Sequence, residues 1–321
     1  MRSCDALIIG GGVTGTAIAR ELSQYRLKVI LCEKEEELAF GVSKSNSGII
    51  HPGTQNVPGS LKGRLCVEGN ALTKAIAREL DVDFKQVGEL IVAFSQSEVG
   101  RLIRIKEDAQ RLGVKGLRMV DNAWLRDHEP NLNPDIPAAL FAPSAGIISP
   151  YRWVYALALN AQQNGVEIMT RTRVAAIERL SGAGRGGMFL RVMTTSAEYD
   201  ARFVINCAGL HADAVARMAG IDDFSIRPRK GEEFILDKKR EHLTNHLIFP
   251  LPTPVSKGVL MIKTSDGNPM IGPSALDTED KDDLSTTEGG LRTVLADARR
   301  LVPSVSERDI IAYFAGLRPV A

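Results

Sequence analysis

The chain has 321 residues, 44% of them hydrophobic, enough to bury a large core and to build two structural units. Forty basic residues against 39 acidic ones leave a net charge of +1, and with 5% aromatic residues the footprint of a nucleic-acid binder is missing. No uninterrupted apolar run approaches the roughly 20 residues that span a bilayer.

The stretch DALIIGGGVTGTAIARELS, residues 5–23, has two readings. Arg2 ahead of a largely apolar run to Ala19 has the outline of a secretory signal peptide. Glycine opposes that reading: four of the ten residues from Gly10 to Ala19 are glycine, each costing a helix about 1 kcal/mol, and no small-residue cleavage site follows. The second reading accounts for every part. Ala6 to Ile9 suits a central parallel strand, and Val13 to Gln24 a helix with Val13, Ala17 and Leu22 at core-facing spacing. Between them Gly10, Gly12 and Gly15 form G-x-G-x-x-G: a tight turn, a close backbone approach to a pyrophosphate, and close packing of helix on strand. The helix start at Val13 and Thr14 turns free N–H groups toward the phosphates. A second strand, Lys28 to Cys32, ends on Glu33, placed to accept hydrogen bonds from a ribose diol, with Lys34 beside it. These features in register predict a dinucleotide site.

Next comes GVSKSNSGIIHPG, residues 41–53. Ser43, Ser45, Asn46, Ser47 and Gly48 offer donors and a close backbone approach suited to a pyrophosphate or ribityl chain, but an ordinary surface loop reads the same way. His51, beside Pro52 and Gly53, is open between a structural and a chemical role. Leu61 to Leu80 reads as an amphipathic helix with Leu61, Leu65, Leu72, Ile76 and Leu80 on one face. FKQVGELIVAFS is a strand pair broken at Gly88, and Ser97 to Leu112 a helix capped by Gly113. AALFAPSAGIISP is hairpin-like and leads into a helix from Pro150 to Asn164. VEIMT, TRVAAIERL, MFLRVMTT and RFVINCAGLHAD are strands, the last becoming helical at Leu210, and Ser181 to Gly187 is a glycine-rich hairpin connection. Lys230 to Pro273 is mostly β, followed by a helix from Thr287 to Leu301 and a strand from Arg308 to Phe314. The predicted fold class is α/β: a Rossmann-like nucleotide domain with an inserted β-rich (α+β) substrate or cap domain. Cys4, Cys32, Cys66 and Cys207 are far apart with no C-x-x-C pair, which reads as thiols of a reducing compartment and as neither disulfides nor metal ligands.

Taken together, the glycine motif, Glu33, NSGIIH, SLKGRLCVEGN, GELIVA, VINCAGLHAD, PRKGE and AGLRP resemble the D-amino-acid-oxidase-type superfamily of FAD-dependent oxidoreductases, from about Asp5 to Pro319. Two branches are most similar, L-2-hydroxyglutarate dehydrogenase/oxidase and the anaerobic glycerol-3-phosphate dehydrogenase catalytic subunit. The resemblance implies FAD in the glycine site, the segment from Ser43 through Asn46, Ser47 and Gly48 to Ile50 along its pyrophosphate and ring, Val174 facing the adenine, and Cys207, Ala208 and Gly209 closing the other side. It divides the chain into FAD-binding parts at 1–80 and 144–220, substrate-domain parts at 81–143 and 221–312, and the start of a final FAD-domain segment at 313–321. The implied reaction oxidises the secondary alcohol of a small anionic substrate, with His51 or His246 taking the hydroxyl proton. Arg318 reads from position alone as a surface arginine; the resemblance implies that it pairs with the substrate's anion. Electrons would pass to oxygen, a quinone or an iron–sulfur partner, and the expected location is cytoplasmic or peripheral to the membrane. The chain stops at Ala321, where the superfamily continues with a strand, a glycine-rich turn and a helix over the flavin, so the expectation is a fragment, a truncated gene product or a cap supplied from elsewhere. Alternatives are an amine or amino-acid oxidase and a flavin-binding fragment without turnover.

Overall fold

The structure of the protein, a computed structural model, describes residues 2–181, 188–253 and 257–321. Residues 182–187, most of the glycine-rich stretch read as a hairpin connection, lie outside the described residues. A six-stranded sheet carries the amino-terminal motif, in the order Val174–Ser181, Met188–Thr194, Glu198–Asn206, Arg2–Ile9, Val29–Cys32, Glu167–Met169. The last four run parallel, and Asn206, Ile9, Cys32 and Met169 end in register at one edge. The chain leaves the Arg2–Ile9 strand with a parallel neighbour on each side, so the crevice for a ligand opens beyond Ile9.

These strands read as continuous apolar runs because both faces are covered. Leu7, Ile9, Ile30 and Cys32 enter one core, while Ala6, Ile8, Val29 and Leu31 pack with Val154, Ala158 and Ala161 of the Pro150–Gln163 helix in another. Leu7, Ile8, Ile30 and Leu31 are fully buried, each contributing roughly 1.5–3 kcal/mol. The Val13–Leu22 helix turns a different face inward from the one expected: Gly15, Thr16 and Ala19 are buried, whereas Val13 and Ala17 are exposed. A Cβ on Gly15 would stand 1.9 Å from the Gly10 carbonyl oxygen, so this contact sets the rotation of the helix and apolar count does not.

A nine-stranded sheet forms the second layer. Its path is Leu276–Asp277, Arg227–Leu236, Pro269–Gly272, Leu260–Lys263, Leu247–Pro250, Glu89–Ala93, Ala138–Ala142, Arg118–Asp121, and Ile310–Val320 also pairs with Arg227–Leu236. The Glu288–Leu301 helix covers one face through Val294, Leu295, Ala298 and Leu301, and the Val99–Arg111 helix covers the other through Leu102 and Ala109. The Ile310–Val320 strand is longer than expected because it pairs with its neighbour from Arg227 opposite Val320 to Leu236 opposite Ile310. Residues 313–320, expected to begin a cofactor-side segment, therefore extend this second sheet.

The expected hairpin at residues 138–150 does not form. Ala138–Ala142 joins the nine-stranded sheet, while Gly146–Ile148 lies between Ile49–Ile50 and Phe84–Gln86 in a three-stranded sheet. The Leu61–Glu79 helix exposes its leucines: Gly63, Asn70 and Ala77 face inward, and Leu61, Leu65 and Leu72 are exposed. The Asn70 amide fixes this orientation by donating to the carbonyls of Ile50, His51 and Ser144. Among the elements without an expectation are the Arg118–Asp121 strand and the Asn122–His128 helix, whose first turn Asp121 caps by accepting from the Trp124 N–H. Among the described residues no helix is long and apolar enough to cross a membrane.

Candidate active site

The glycine turn is built from backbone contacts that side chains would destroy. Gly10 has φ +111° and a Cβ there would stand 2.4 Å from the Cys207 carbonyl oxygen, so Cys207 closes one side of the turn. Gly12 differs: a Cβ would meet only Ser43 Oγ, at 3.0 Å, and its φ of −80° suits any residue. The space over Gly12 is a cradle kept clear at the start of a helix, where the dipole favours phosphate. Ser43 reaches this turn from the next loop, its hydroxyl accepting from the Val13 N–H at 2.9 Å. Glu33 is buried; one carboxylate oxygen accepts from the Gly11 N–H at 2.6 Å and the other from the Glu35 N–H at 2.9 Å. Each oxygen keeps a second lone pair for a ribose hydroxyl. These residues fit the ADP half of FAD.

The other expected cofactor residues fall into distinct positions. Ala208 and Gly209 follow Cys207 beside the turn, and Gly209, with φ +55°, has nothing within 4 Å of a built Cβ. Thr14 is exposed on the first helical turn, and Lys34 points outward to pair with Glu35. The Val174 side chain is buried in the sheet core, so only its backbone is available to a ligand. Asn46 spends its amide on the loop: it donates to the Ser43 carbonyl at 2.7 Å and accepts from the Gly48 N–H at 2.9 Å. Gly48 has φ +68°, and a Cβ would stand 2.3 Å from the Ile148 carbonyl oxygen, which leads the chain into Ile49–Ile50.

A cleft of about 310 Å³ opens between this loop and the nine-stranded sheet. Strand alternation supplies its wall: Arg229, Gly231 and Glu233 line the cleft, whereas Lys230 bonds Asp283 and Glu232 bonds Thr287 on the other side. Gly316 and Arg318 line it from the neighbouring strand, with Arg318 directly opposite Arg229. Two arginines opposite one another repel. Arg229 is held by Asp277 through two contacts, of 2.5 and 3.2 Å, while no ion pair of Arg318 is formed among the described residues. With His51, Lys62 and Lys257 also at the cleft, the site is cationic and suits a small anion.

His51 sits at the centre of this arrangement. Its Nε2 is 3.3 Å from Lys257 Nζ, its Nδ1 is 3.9 Å from Glu89 Oε2, and its ring meets Phe249 edge-on. Burial and then Lys257 push the His51 pKa down, and Glu89 opposes them. Burial likewise lowers the pKa of Lys257, again against Glu89. His246 is elsewhere. Its Nδ1 lies 2.7 Å from Glu129 Oε1, its backbone N–H donates to the same oxygen, and its ring packs against Phe141 and Trp124. It does not line the cleft and is satisfied by a buried carboxylate, whereas His51 lines the cleft.

Lys257, Glu233 and Glu89 were not anticipated. Lys257 lies in a loop without periodicity, but alternation along RKGEEF carried a signal for Glu233. Glu233 is 4% exposed, accepts from the Ser47 hydroxyl at 2.7 Å, and leaves Oε2 without a partner among the described residues. Burial pushes this carboxyl from 4.5 up to about 7, against Ser47 and the Arg318 charge. The folded chain thus keeps a proton that the unfolded chain releases, so stability is greatest at low pH and is lost as pH rises from 4.5 toward about 7. In the cofactor-free protein Glu233→Gln is expected to exceed wild-type stability at pH 8 by about 3 kcal/mol and to match it near pH 4. Urea unfolding at the two pH values checks this, and equal midpoints at pH 8 would show a carboxyl that ionises freely.

Comparison with known proteins agrees with this geometry. The family profile described as FAD dependent oxidoreductase (DAO) matches residues 5–321. The chain is 40% identical over 314 residues to glycerol 3-phosphate dehydrogenase of Caloramator mitchellensis, covering 98% of this chain and 64% of that protein. It is 36% identical over 282 residues to the mitochondrial L-2-hydroxyglutarate dehydrogenase of Caenorhabditis elegans, covering 85% and 63%. The solved structure of dithionite-reduced L-alpha-glycerophosphate oxidase from Mycoplasma pneumoniae, with FAD bound, superposes with a TM-score of 0.92 at 32% identity, covering 100% of this chain and 84% of that one. The chain thus spans somewhat less than two thirds of the first two relatives.

Proposed function

Since the chain belongs to the FAD dependent oxidoreductase family, we propose that it oxidises the secondary alcohol of a small organic phosphate, glycerol 3-phosphate, with a 2-hydroxy acid such as L-2-hydroxyglutarate as the second candidate. The observation that carries this reading is the Arg318 guanidinium, without an ion pair among the described residues, sharing one cleft with the His51–Lys257 pair, an anion anchor and a proton acceptor together. FAD, when bound, supplies the two-electron acceptor.

The chain's own residues do the rest. The turn at Gly10 to Gly15, Glu33 and Cys207 to Gly209 hold the ADP half, and the loop from Ser43 to Ile50 flanks the ring. Arg318 fixes the phosphate through the planar fork that lysine lacks. His51 Nε2 takes the hydroxyl proton, and Lys257 steadies the oxygen as negative charge develops on it. The free thiols of Cys4, Cys32, Cys66 and Cys207 fit a cytoplasmic setting, and oxygen uptake set against quinone reduction identifies the acceptor.

Anaerobic addition of substrate to the purified flavoprotein tests the reading. Glycerol 3-phosphate should bleach the flavin absorbance, L-2-hydroxyglutarate less so, and amino acids not at all; bleaching by amino acids alone would assign the amine chemistry instead. Arg318→Met is expected to keep the flavin spectrum while lowering kcat/KM by about 10²-fold, roughly 3 kcal/mol of lost charge-assisted hydrogen bonding. Wild-type kinetics on every anionic substrate would remove Arg318 from the site.

A further inference from the structure

Glu89 begins the Glu89–Ala93 strand and is 0% exposed. Its Oε1 accepts from the Thr54 hydroxyl; its Oε2 has no hydrogen-bond partner among the described residues and faces His51 Nδ1. A carboxylate taken this far from water stays ionised only where hydrogen bonds and opposite charge compensate it. Thr54 supplies one hydrogen bond. His51 and Lys257 both feel its charge, and Glu89 raises the proton affinity of each. The remaining groups around the pair are Arg318, which acts on both, with Lys62 and the Cys66 thiol acting on Lys257; Cys66 Sγ also lies 3.6 Å from the His51 carbonyl oxygen.

The hydrogen bond at Nε2 specifies the tautomer, and the 3.9 Å approach of Glu89 Oε2 to Nδ1 on the other side of the imidazole is compatible with it. An ammonium carries donors and no acceptor, so the 3.3 Å approach of Lys257 Nζ requires a lone pair on His51 Nε2. A neutral ring with that lone pair carries its proton on Nδ1, the atom turned toward the unpartnered Glu89 oxygen. We propose that Glu89 is a positioning residue: it holds the His51 proton on Nδ1 and so presents Nε2 to the cleft as the proton-accepting atom. The inference rests on the alcohol-oxidising reading, since it assigns a partner to the base of that reaction. When the substrate O–H bond breaks, the proton forms a bond to Nε2, and the imidazolium that results lies against Glu89, which takes up no proton itself. The O–H bonding pair left behind forms the new carbonyl as the C–H bond of the same carbon breaks and its hydride leaves to the two-electron acceptor that FAD would supply when bound.

The tautomer is read directly by nitrogen NMR of histidine-labelled protein, with His51 assigned from His51→Gln. The wild type should show a neutral His51 ring protonated at Nδ1. Glu89→Gln, similar in shape, should lower the His51 titration midpoint by about one pH unit, the effect of removing a nearby opposite charge, while FAD absorbance is retained. Its kcat should fall about tenfold with KM little changed, its acid limb should move with the NMR midpoint, and Glu89→Asp should recover part of the loss. A proton on Nε2 in the wild type, or an unmoved midpoint in Glu89→Gln, would overturn the proposal. Should Glu89→Gln fail to fold, the wild-type tautomer decides alone. Absence of flavin bleaching by any alcohol, with Nδ1 protonated, overturns the functional reading and the catalytic role with it; bleaching with the other tautomer overturns this proposal only.

Discussion

Gly12→Val is expected to yield a folded protein that no longer retains FAD. The three glycines of the turn predict different outcomes because their surroundings differ. At Gly15 an added side chain would strike the Gly10 carbonyl, and at Gly10 it would strike Cys207, so substitutions there break the strand-to-helix junction itself. At Gly12 the only neighbour of a built Cβ among the described residues is the Ser43 hydroxyl at 3.0 Å, which can turn aside, and the backbone is already in a region open to valine. The isopropyl group then fills the cradle that the pyrophosphate needs. Affinity should fall by at least about 100-fold, the upper end of an overpacking cost of roughly 3 kcal/mol. Flavin absorbance after gel filtration measures it, with thermal unfolding of the cofactor-free protein as control. Stoichiometric flavin in that variant would place the cofactor elsewhere.

His51→Gln should lower kcat by about 10³-fold while FAD binding and substrate KM change little, because general-base assistance contributes roughly 10²- to 10⁴-fold to such a step. Glutamine keeps polarity and approximate reach but cannot take a proton. Stopped-flow bleaching under anaerobic conditions isolates the step. The matched control is His246→Gln, which disturbs the Glu129 contact and so acts on stability more than on turnover. Turnover lost with His246→Gln and kept with His51→Gln would falsify the assignment of the base.

What could be read in the sequence depended on whether the backbone or the side chains carried the information. The strand, turn and helix from Arg2 to Leu22 were legible because Gly10 and Gly15 are demanded by contacts that hold wherever this junction occurs. The rotation of that helix was not, since the apolar spacing of Val13, Ala17 and Leu22 competes with a single steric contact at Gly15, and the contact wins. The leucines of the Leu61–Glu79 helix misled in the same way: Gly63 and Asn70 set the buried face, and polar anchoring leaves no apolar signature. His51 and His246 look alike in sequence and are separated by position: His51 lines the cleft with the buried Glu89 behind it, and His246 lies away from the cleft against Glu129. Lys257 was beyond sequence reasoning, because a lone lysine in a loop acquires its role from the burial that lowers its pKa.

The ladder joining Arg227–Leu236 to Ile310–Val320 carries Arg229, Glu233 and Arg318, while the glycine turn and Glu33 belong to the other sheet. The two groups meet where Gly316 passes the Ser45 carbonyl so closely that a Cβ would stand 2.1 Å from it. On the proposed reading, substrate preference and flavin retention draw on different sheets, joined where Gly316 passes Ser45 and where the Ser47 hydroxyl donates to Glu233. Laboratory evolution confined to positions 229 and 318, with Glu233 and Gly316 kept, should therefore move specificity between small anions without first having to rebuild the flavin site.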